Sequence, residues 1–339
     1  MRETLIVRLP NWLGDTVMAA PALRALRRGH ADARVVLVGS WATLLAGQDL
    51  ADILVPYPRS WTGRLTKWDG LRALGASTAI LLPNSMEAAL AARYWRARRR
   101  VGFDAGGRGC LLTDPVPRPA PRVHQVDQYL LLAERLGVSA DERTPRLVAP
   151  PSESTVRATA RDLLRAAGAM GNSGRALVGI QLGAAYGPSK LWPPERIADL
   201  CRGLRDAGDV PVILGARADM AIACRLVDET GVASVVGRDS PELLPAVLAE
   251  LDALVCGDTG VGHLAAALGT PVVALFGPTD PALTAPRGPV RVITHGVPCA
   301  PCFYRACPID HPCLRGVRAE EVRGALADVL ATTRAGAPA

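Results

Sequence analysis

An aspartate, a lysine and an Asp-Thr-Gly step, each set among small residues, are the side chains in this sequence best suited to chemistry. The first closes the segment Arg8-Leu-Pro-Asn-Trp-Leu-Gly-Asp15, where Gly14 permits a tight turn and Asp15 stands where a strand gives way to a helix. A carboxylate held there suits a general base, which must reach the proton it removes. Asp is also a favoured helix N-cap, so on the residues alone a capping role stands beside the catalytic one. The second segment is Gly183-Ala-Ala-Tyr-Gly-Pro-Ser-Lys190-Leu-Trp-Pro. Its small residues let the backbone approach a ligand, and Lys190 brings a cation to a Pro-started helix whose first amides already attract anions. A lysine opposes the dipole at that end, which weakens any purely structural reason for it. A solvated surface lysine is the alternative, in a chain whose one other lysine is Lys67. The third segment, Gly257-Asp258-Thr259-Gly260-Val-Gly-His263, opens a helix directly after an apolar strand. Amides of Thr259, Gly260 and Val261 at the positive helix end can hold a diphosphate, with His263 one turn further in. Taken alone, Asp-Thr-Gly is also a common capping sequence.

A fourth group is Cys299-Ala-Pro-Cys302-Phe-Tyr-Arg-Ala-Cys307, followed by His311 and Cys313. Four thiolates in one short loop fit a tetrahedral structural zinc site, and a reducing compartment disfavours disulfides. Unligated thiols are the competing reading, and neither assigns this loop to catalysis. Cys110, Cys201, Cys224 and Cys256 are scattered in apolar surroundings and read as reduced, small hydrophobes. No Gly-x-Gly-x-x-Gly fingerprint follows the first strand, which removes support for a dinucleotide-dependent dehydrogenase.

The elements that position these residues read as an alternation. Residues 4–9, 34–38, 52–55 and 77–82 are short apolar strands, with helical patterns over 16–28, 41–46, 85–95 and 123–136. A Pro- and Ser-rich stretch with a helix over 153–167 and a turn at Gly171-Asn-Ser-Gly174 bridges to a second series. There strands are expected at 175–182, 211–214, 233–236, 253–256 and 271–276, and helices at 193–207, 218–229, 241–250 and 260–268. Continuous apolar strands each followed by a helix imply parallel sheets covered on both faces. The expected organisation is a Rossmann-like domain over 1–150, a linker over 151–174, a second Rossmann-like domain over 175–330 and a tail over 331–339. Two such domains in tandem imply a cleft, with ligands at the carboxyl ends of the strands.

Charge narrows the partners without choosing among them. The chain carries 39 Lys and Arg against 32 Asp and Glu, a formal +7, which favours anionic partners such as nucleotides, sugar phosphates or membrane headgroups. Nucleic acid is disfavoured, because no aromatic platforms interleave the basic runs. No signal-like apolar segment follows Met1 and no stretch reaches a membrane span, so a cytoplasmic protein able to rest on a membrane surface is expected.

Together the three loops resemble the bacterial heptosyltransferases of glycosyltransferase family 9. The likeness runs from Leu5 to about Leu330. It is carried by ProAsnTrpLeuGlyAsp, by GlyAlaAlaTyrGlyProSerLysLeuTrpPro, by AspThrGlyValGlyHisLeuAlaAlaAlaLeuGlyThrPro, and by AlaLeuPheGlyProThrAspPro. The first two are more similar to the heptosyltransferase II branch. The resemblance implies a GT-B fold and an ADP-heptose donor, with inverting transfer to the lipopolysaccharide inner core on the cytoplasmic face of the inner membrane, and no catalytic metal. It also implies Asp15 as the base and Lys190 with the Thr259 and Gly260 amides on the leaving ADP. Asp258 would hold donor hydroxyls, with Gly183 and His263 at the donor site. Where some relatives carry a ribose-binding Glu, this chain has Arg217, with Asp219 the nearest acid. Arg59, Arg64, Lys67 and the run Arg96-Ala-Arg-Arg-Arg100 are candidates for an anionic acceptor, or an ordinary solvated face. A sugar-nucleotide epimerase or hydrolase, or a non-catalytic nucleotide-binding protein, are the competing functions.

Overall fold

The computed structural model describes residues 2–336, apart from 59, 140, 172, 173 and 239. Arg59, two residues of the expected linker turn (Asn172 and Ser173) and the last three of the expected tail thus lie outside the described residues. The chain forms two compact units, Met1–Pro145 and Arg146–Ala339.

In the first unit six strands make one sheet: β1 (Thr4–Arg8), β2 (Arg34–Gly39), β3 (Ile53–Pro56), β4 (Thr78–Leu81), β5 (Arg99–Phe103) and β6 (Asp114–Val116). Their order is β3-β2-β1-β4-β5-β6 and every pairing is parallel. Parallel neighbours need crossover connections. Helices α1 (Leu13–Met18), α2 (Ala20–Gly29), α3 (Trp61–Ala73), α4 (Met86–Tyr94) and α5 (Gln125–Glu134) lie among the connections. β1 is buried along its whole length, as its unbroken apolar run requires. One side of the sheet packs Ile6, Val36, Val38 and Leu81 against Trp68, Ala92 and Trp95. The helical pattern expected over 16–28 is two helices, meeting at Ala19 just ahead of Pro21, which has no N–H to continue the ladder.

The second unit repeats the plan. Strands β7 (Leu177–Gln181), β8 (Val210–Leu214), β9 (Ala233–Ser234), β10 (Ala253–Gly257), β11 (Val272–Phe276) and β12 (Val290–Thr294) are parallel, in the order β12-β11-β10-β7-β8-β9. Helices α6 (Thr155–Ala166), α7 (Pro194–Asp206), α8 (Met220–Thr230), α9 (Leu244–Leu248), α10 (Gly260–Leu268), α11 (Pro281–Thr284), α12 (Pro312–Arg315) and α13 (Ala319–Gly336) complete it. α6 lies against α9, tied by Arg157 Nε to Glu250 Oε1 at 2.6 Å. α13 covers α7 and β11, adding Val322 and Leu326 to the core of Val178, Ile180, Ile213 and Val273.

In each sheet the first strand sits between the second and fourth, so the winding direction reverses beside it. Such a switch point opens a crevice at the carboxyl ends of the two central strands. The loops after β1 and β4, and after β7 and β10, are the places where each unit can bind.

Candidate active site

The segment after β7 and the segment after β10 converge in the second unit. Lys190 closes a short 3-10 turn, Pro188–Lys190, and its Nζ donates to Asp258 Oδ2 at 2.5 Å and to the Asp258 carbonyl at 3.3 Å. Both side chains are nearly buried, at 9 % and 8 % exposure. The Tyr186 ring lies beneath the ammonium, 4.5 Å from Nζ. Asp258 Oδ2 also accepts from Thr279 Oγ1 at 2.8 Å, which draws in the loop after β11. A side chain at Gly257 would run into the Lys190 carbonyl, so the two loops close over a glycine. Lys190 therefore does not address the first amides of α7, as its place in the sequence implied. It is turned across the switch point onto the carboxylate that precedes α10.

That helix starts where the sequence placed it. Thr259 is its N-cap and its Oγ1 accepts from Gly262 N at 3.4 Å. By helix geometry the amides of Gly260 and Val261 have no intrahelical acceptor, and they stand at the positive end of the dipole. His263, one turn in, is buried. Burial pushes the neighbouring Cys256 thiol up to about 12, so it sits there as a small neutral group.

Gly183, directly after β7, has the Asp219 carboxylate against it, and a methyl there would overlap that carboxylate. Asp219 Oδ2 in turn accepts from Ala216 N at 2.8 Å. Arg217 is exposed in the same turn. The acid facing the Gly183 loop is thus Asp219, and Arg217 stands out from it.

The cysteine loop has a structural role that its thiols did not announce. Tyr186 Oη donates to the Phe303 carbonyl at 2.5 Å, Ser189 Oγ to the Tyr304 carbonyl at 2.6 Å, and Ser189 N to the Arg305 carbonyl at 3.1 Å. Phe303 N donates to the Pro278 carbonyl at 2.7 Å. The segment 303–305 therefore braces the Lys190 loop and ties it to the loop that carries Thr279. Cys307 Sγ accepts from His311 N at 3.2 Å, and Cys313 is buried, its thiol pushed up by that burial. Among the described residues, however, no group of three or more His, Cys, Asp or Glu side chains is arranged to hold a metal ion.

In the first unit, Asp15 falls in the first turn of α1 and is half-buried. The N-cap is Trp12, which makes no side-chain capping bond, so the expected N-cap position of Asp15 is corrected by one turn of helix starting earlier. The charge of Asp15 acts on the buried Tyr129 of α5, whose hydroxyl is pushed up first by burial and then by that carboxylate.

The loop leading to Asp15 is held by a residue the sequence reading passed over. Arg8, at the end of β1, is fully buried. Its Nη1 donates to the Leu9 carbonyl at 2.5 Å and its Nη2 to Asn11 Oδ1 at 2.8 Å. It stacks over the Tyr57 ring at 4.2 Å, and Nη2 lies 3.8 Å from Glu87 Oε2 in the first turn of α4. Burial lowers its pKa, and the nearby Glu87 carboxylate opposes that shift. The Tyr57 hydroxyl bonds Glu87 Oε1 and accepts from Trp68 Nε1 at 2.7 Å. Arg64 reaches the same acid, 4.0 Å from Glu87 Oε2, and lies over the Tyr57 and Trp61 rings. Of the expected acceptor residues, Arg64 joins this cluster and Lys67 is exposed on α3. A cation at or beyond the end of the first strand and a carboxylate after the fourth thus recur in both units.

Two Rossmann-like units of parallel sheet in tandem, one with a cation, a carboxylate and a helix N-terminus gathered at its switch point, are the architecture of the GT-B class. The family model for glycosyltransferase family 9 (heptosyltransferase) matches residues 64–312, and the chain belongs to this family. It is similar to lipopolysaccharide heptosyltransferase 2 of Salmonella typhimurium, at 28% identity over 83% of this chain and 85% of the relative. It is also similar to lipooligosaccharide heptosyltransferase 2 of Haemophilus ducreyi, at 28% identity over 84% and 86% of the two chains. Among solved structures, Escherichia coli ADP-heptose LPS heptosyltransferase II superposes with a TM-score of 0.81 at 24% identity, covering 98% of this chain and 100% of that one. The family 9 glycosyltransferase of Veillonella parvula gives 0.83 at 20% identity, covering 97% of each chain.

Proposed function

We propose that this enzyme transfers a heptose from ADP-L-glycero-D-manno-heptose to the inner core of lipopolysaccharide, in the manner of a heptosyltransferase II, with inversion at the anomeric carbon. The observation that carries the reading is the Lys190–Asp258 pair at the start of α10. A diphosphate placed there meets a cation and the amides of Thr259 and Gly260, which are fixed donors aimed at the charge that develops as ADP leaves. Asp258 then holds hydroxyls of the donor sugar, Gly183 lets the backbone approach the nucleotide, and His263 packs behind the site.

In this reading the acceptor hydroxyl attacks the anomeric carbon opposite the departing phosphate oxygen. The new carbon–oxygen bond forms as the bond to ADP breaks, and Asp15 takes the hydroxyl proton. Lys190 and the helix amides meet the leaving-group charge, so the step needs no cofactor. Arg64 and Lys67, with Arg59, contact the anionic lipid-linked acceptor, and the enzyme works at the inner face of the inner membrane.

The test is a purified-enzyme assay with ADP-heptose and a lipid-linked core bearing one heptose. A mass gain of one heptose, with ADP released in equal amount, supports the proposal. Calorimetry against ADP-heptose, ADP-glucose, UDP-glucose and GDP-glucose tests the donor. Tighter binding of a non-adenine donor, or ADP release at full rate without acceptor, would point to another sugar transferase or to a hydrolase.

A further inference from the structure

The net charge of this chain is not spread over it. Residues 60–100 hold eight Lys and Arg against two Asp and Glu, whereas the rest of the chain holds 31 against 30. Six of the formal +7 thus sit in this segment: α3 is net positive by two, α4 is neutral, and Arg96, Arg98, Arg99 and Arg100 follow in the approach to β5 and its first two residues. Both acids of the segment are engaged. Glu87 faces Arg8 and Arg64 and bonds Tyr57, and Asp69 Oδ1 accepts from Tyr94 Oη at 2.6 Å. Lys67, Arg93, Arg96 and Arg98 are exposed. No carboxylate partner is found for these four among the described residues, and Arg93 lies close enough to Arg100 to lower its pKa further, after burial.

The same two helices expose most of the large apolar surface of the first unit. On α3 these are Trp61, 59 % exposed, and Leu65, 53 %. On α4 they are Met86, Leu90 and Tyr94, at 42 %, 45 % and 39 %. Spacings of four place each set on one helix face. The faces meet where the Tyr94 ring packs 5.5 Å from that of Trp68, with Arg72 over it at 5.4 Å. Soluble proteins seldom leave such a patch open without a use. An aromatic and aliphatic strip rimmed by unpaired arginines matches one environment above others, a bilayer surface carrying anionic headgroups, where apolar side chains enter the acyl boundary and cations stay with the phosphates. Nucleic acid fits less well, since Leu65, Met86 and Leu90 offer nothing to a phosphate backbone.

We infer that the α3–α4 face of the first unit is a membrane-docking surface for anionic lipid. The inference rests on the proposed lipid-linked acceptor, because α3 and α4 begin after the carboxyl ends of β3 and β4, the edge on which that unit would present an acceptor. Docking would lay this edge against the leaflet that holds the substrate.

Co-sedimentation of the full chain with phosphatidylcholine vesicles, with and without phosphatidylglycerol, tests it. Binding should require phosphatidylglycerol and weaken with salt. Leu65→Ser/Leu90→Ser and Arg93→Gln should each lower vesicle binding, the leucine pair by roughly tenfold and the single charge by about fivefold. On a delipidated core oligosaccharide both variants should turn over as wild type does, and on the same acceptor embedded in vesicles both should fall with binding. Equal sedimentation with neutral and anionic vesicles overturns the inference. So does tighter binding to duplex DNA than to anionic vesicles, or a concentration-dependent dimer that the leucine variants abolish. Transfer to the delipidated acceptor without vesicle binding sinks docking alone, and vesicle binding without any transfer sinks the proposed function alone.

Discussion

Lys190 Nζ lies 2.5 Å from Asp258 Oδ2, sixty-eight positions away in the chain and across the switch point of the second sheet. The pair couples stability to function. Removing the cation leaves Asp258 nearly buried with Thr279 as its remaining side-chain donor, and breaking a buried pair from one side costs about 3–5 kcal/mol. Lys190→Met should therefore melt earlier and lose roughly 10²–10³-fold in kcat. Lys190→Met/Asp258→Asn should recover much of the melting temperature and none of the turnover. Thermal unfolding and ADP-release kinetics on the two variants check this, and recovery of turnover in the double variant would remove Lys190 from the chemistry.

Asp15→Asn keeps the size of the side chain in the first turn of α1 and removes its basicity. Turnover with acceptor should fall about 10²–10⁴-fold, with a melting temperature close to that of wild type. Donor affinity measured by calorimetry should not move. If turnover persists in Asp15→Asn, the base lies elsewhere.

Gly183→Ala sets a methyl into the space filled by the Asp219 carboxylate, which is itself fixed by Ala216 N. Donor affinity should drop roughly tenfold, in line with overpacking costs of about 1–3 kcal/mol. Gly183→Ala/Asp219→Ala should regain part of it by opening room for the methyl. Calorimetric titration with ADP reads both, and no effect in the single variant would mean the loop yields freely.

The Tyr57 hydroxyl is pushed up to about 12 by burial and then by its bond with Glu87. An unfolded tyrosine ionises near ~10. The folded state therefore holds this proton when the unfolded state has lost it, and stability falls as pH rises from ~10 toward ~12, being fully present below that window. Tyrosinate absorbance of wild type minus Tyr57→Phe should rise with a midpoint near 12. A difference midpoint at the ordinary value would mean that Tyr57 is wet.

Where side chains report local structure, the sequence was a good guide. α10 begins after Thr259 and ends at Gly269 because a β-region hydroxyl cap and a left-handed glycine mark both ends chemically. The short, β-branched apolar runs of β1, β7 and β10, each bounded by turn residues, read as buried strands. Around β5 the sequence shows a basic run, because its charges mask a strand. Arg100 spends its guanidinium on the Leu111 and Ala97 carbonyls, and Arg99 on Asp114. α3, which carries two glycines and a weak apolar stripe, gave no readable pattern. The Lys190–Asp258 pairing, the fully buried Arg8 and the brace at 303–305 all depend on which loops meet in space, and no local spacing encodes that.

Arg108 shows how the first unit treats a buried cation that, among the described residues, has the Asp104 charge near it but no direct ion pair. Burial pushes its pKa down to about 10, and its donors go to the Pro83, Ser85 and Phe103 carbonyls and to Asn84 Oδ1. These bonds set the turn from which α4 starts, so Arg108→Met should unfold more readily and, by shifting Glu87 against the proposed acceptor residue Arg64, raise the acceptor KM.

The three bonds by which residues 303–305 hold Tyr186 and Ser189 all end on peptide oxygens. Any amino acid supplies such an oxygen, so the grip is indifferent to spelling and sensitive only to path. Natural variation in this stretch can be wide without loosening the lysine, whereas shortening it by one residue moves every acceptor at once. For an engineer, this stretch is open to new side chains and closed to deletions.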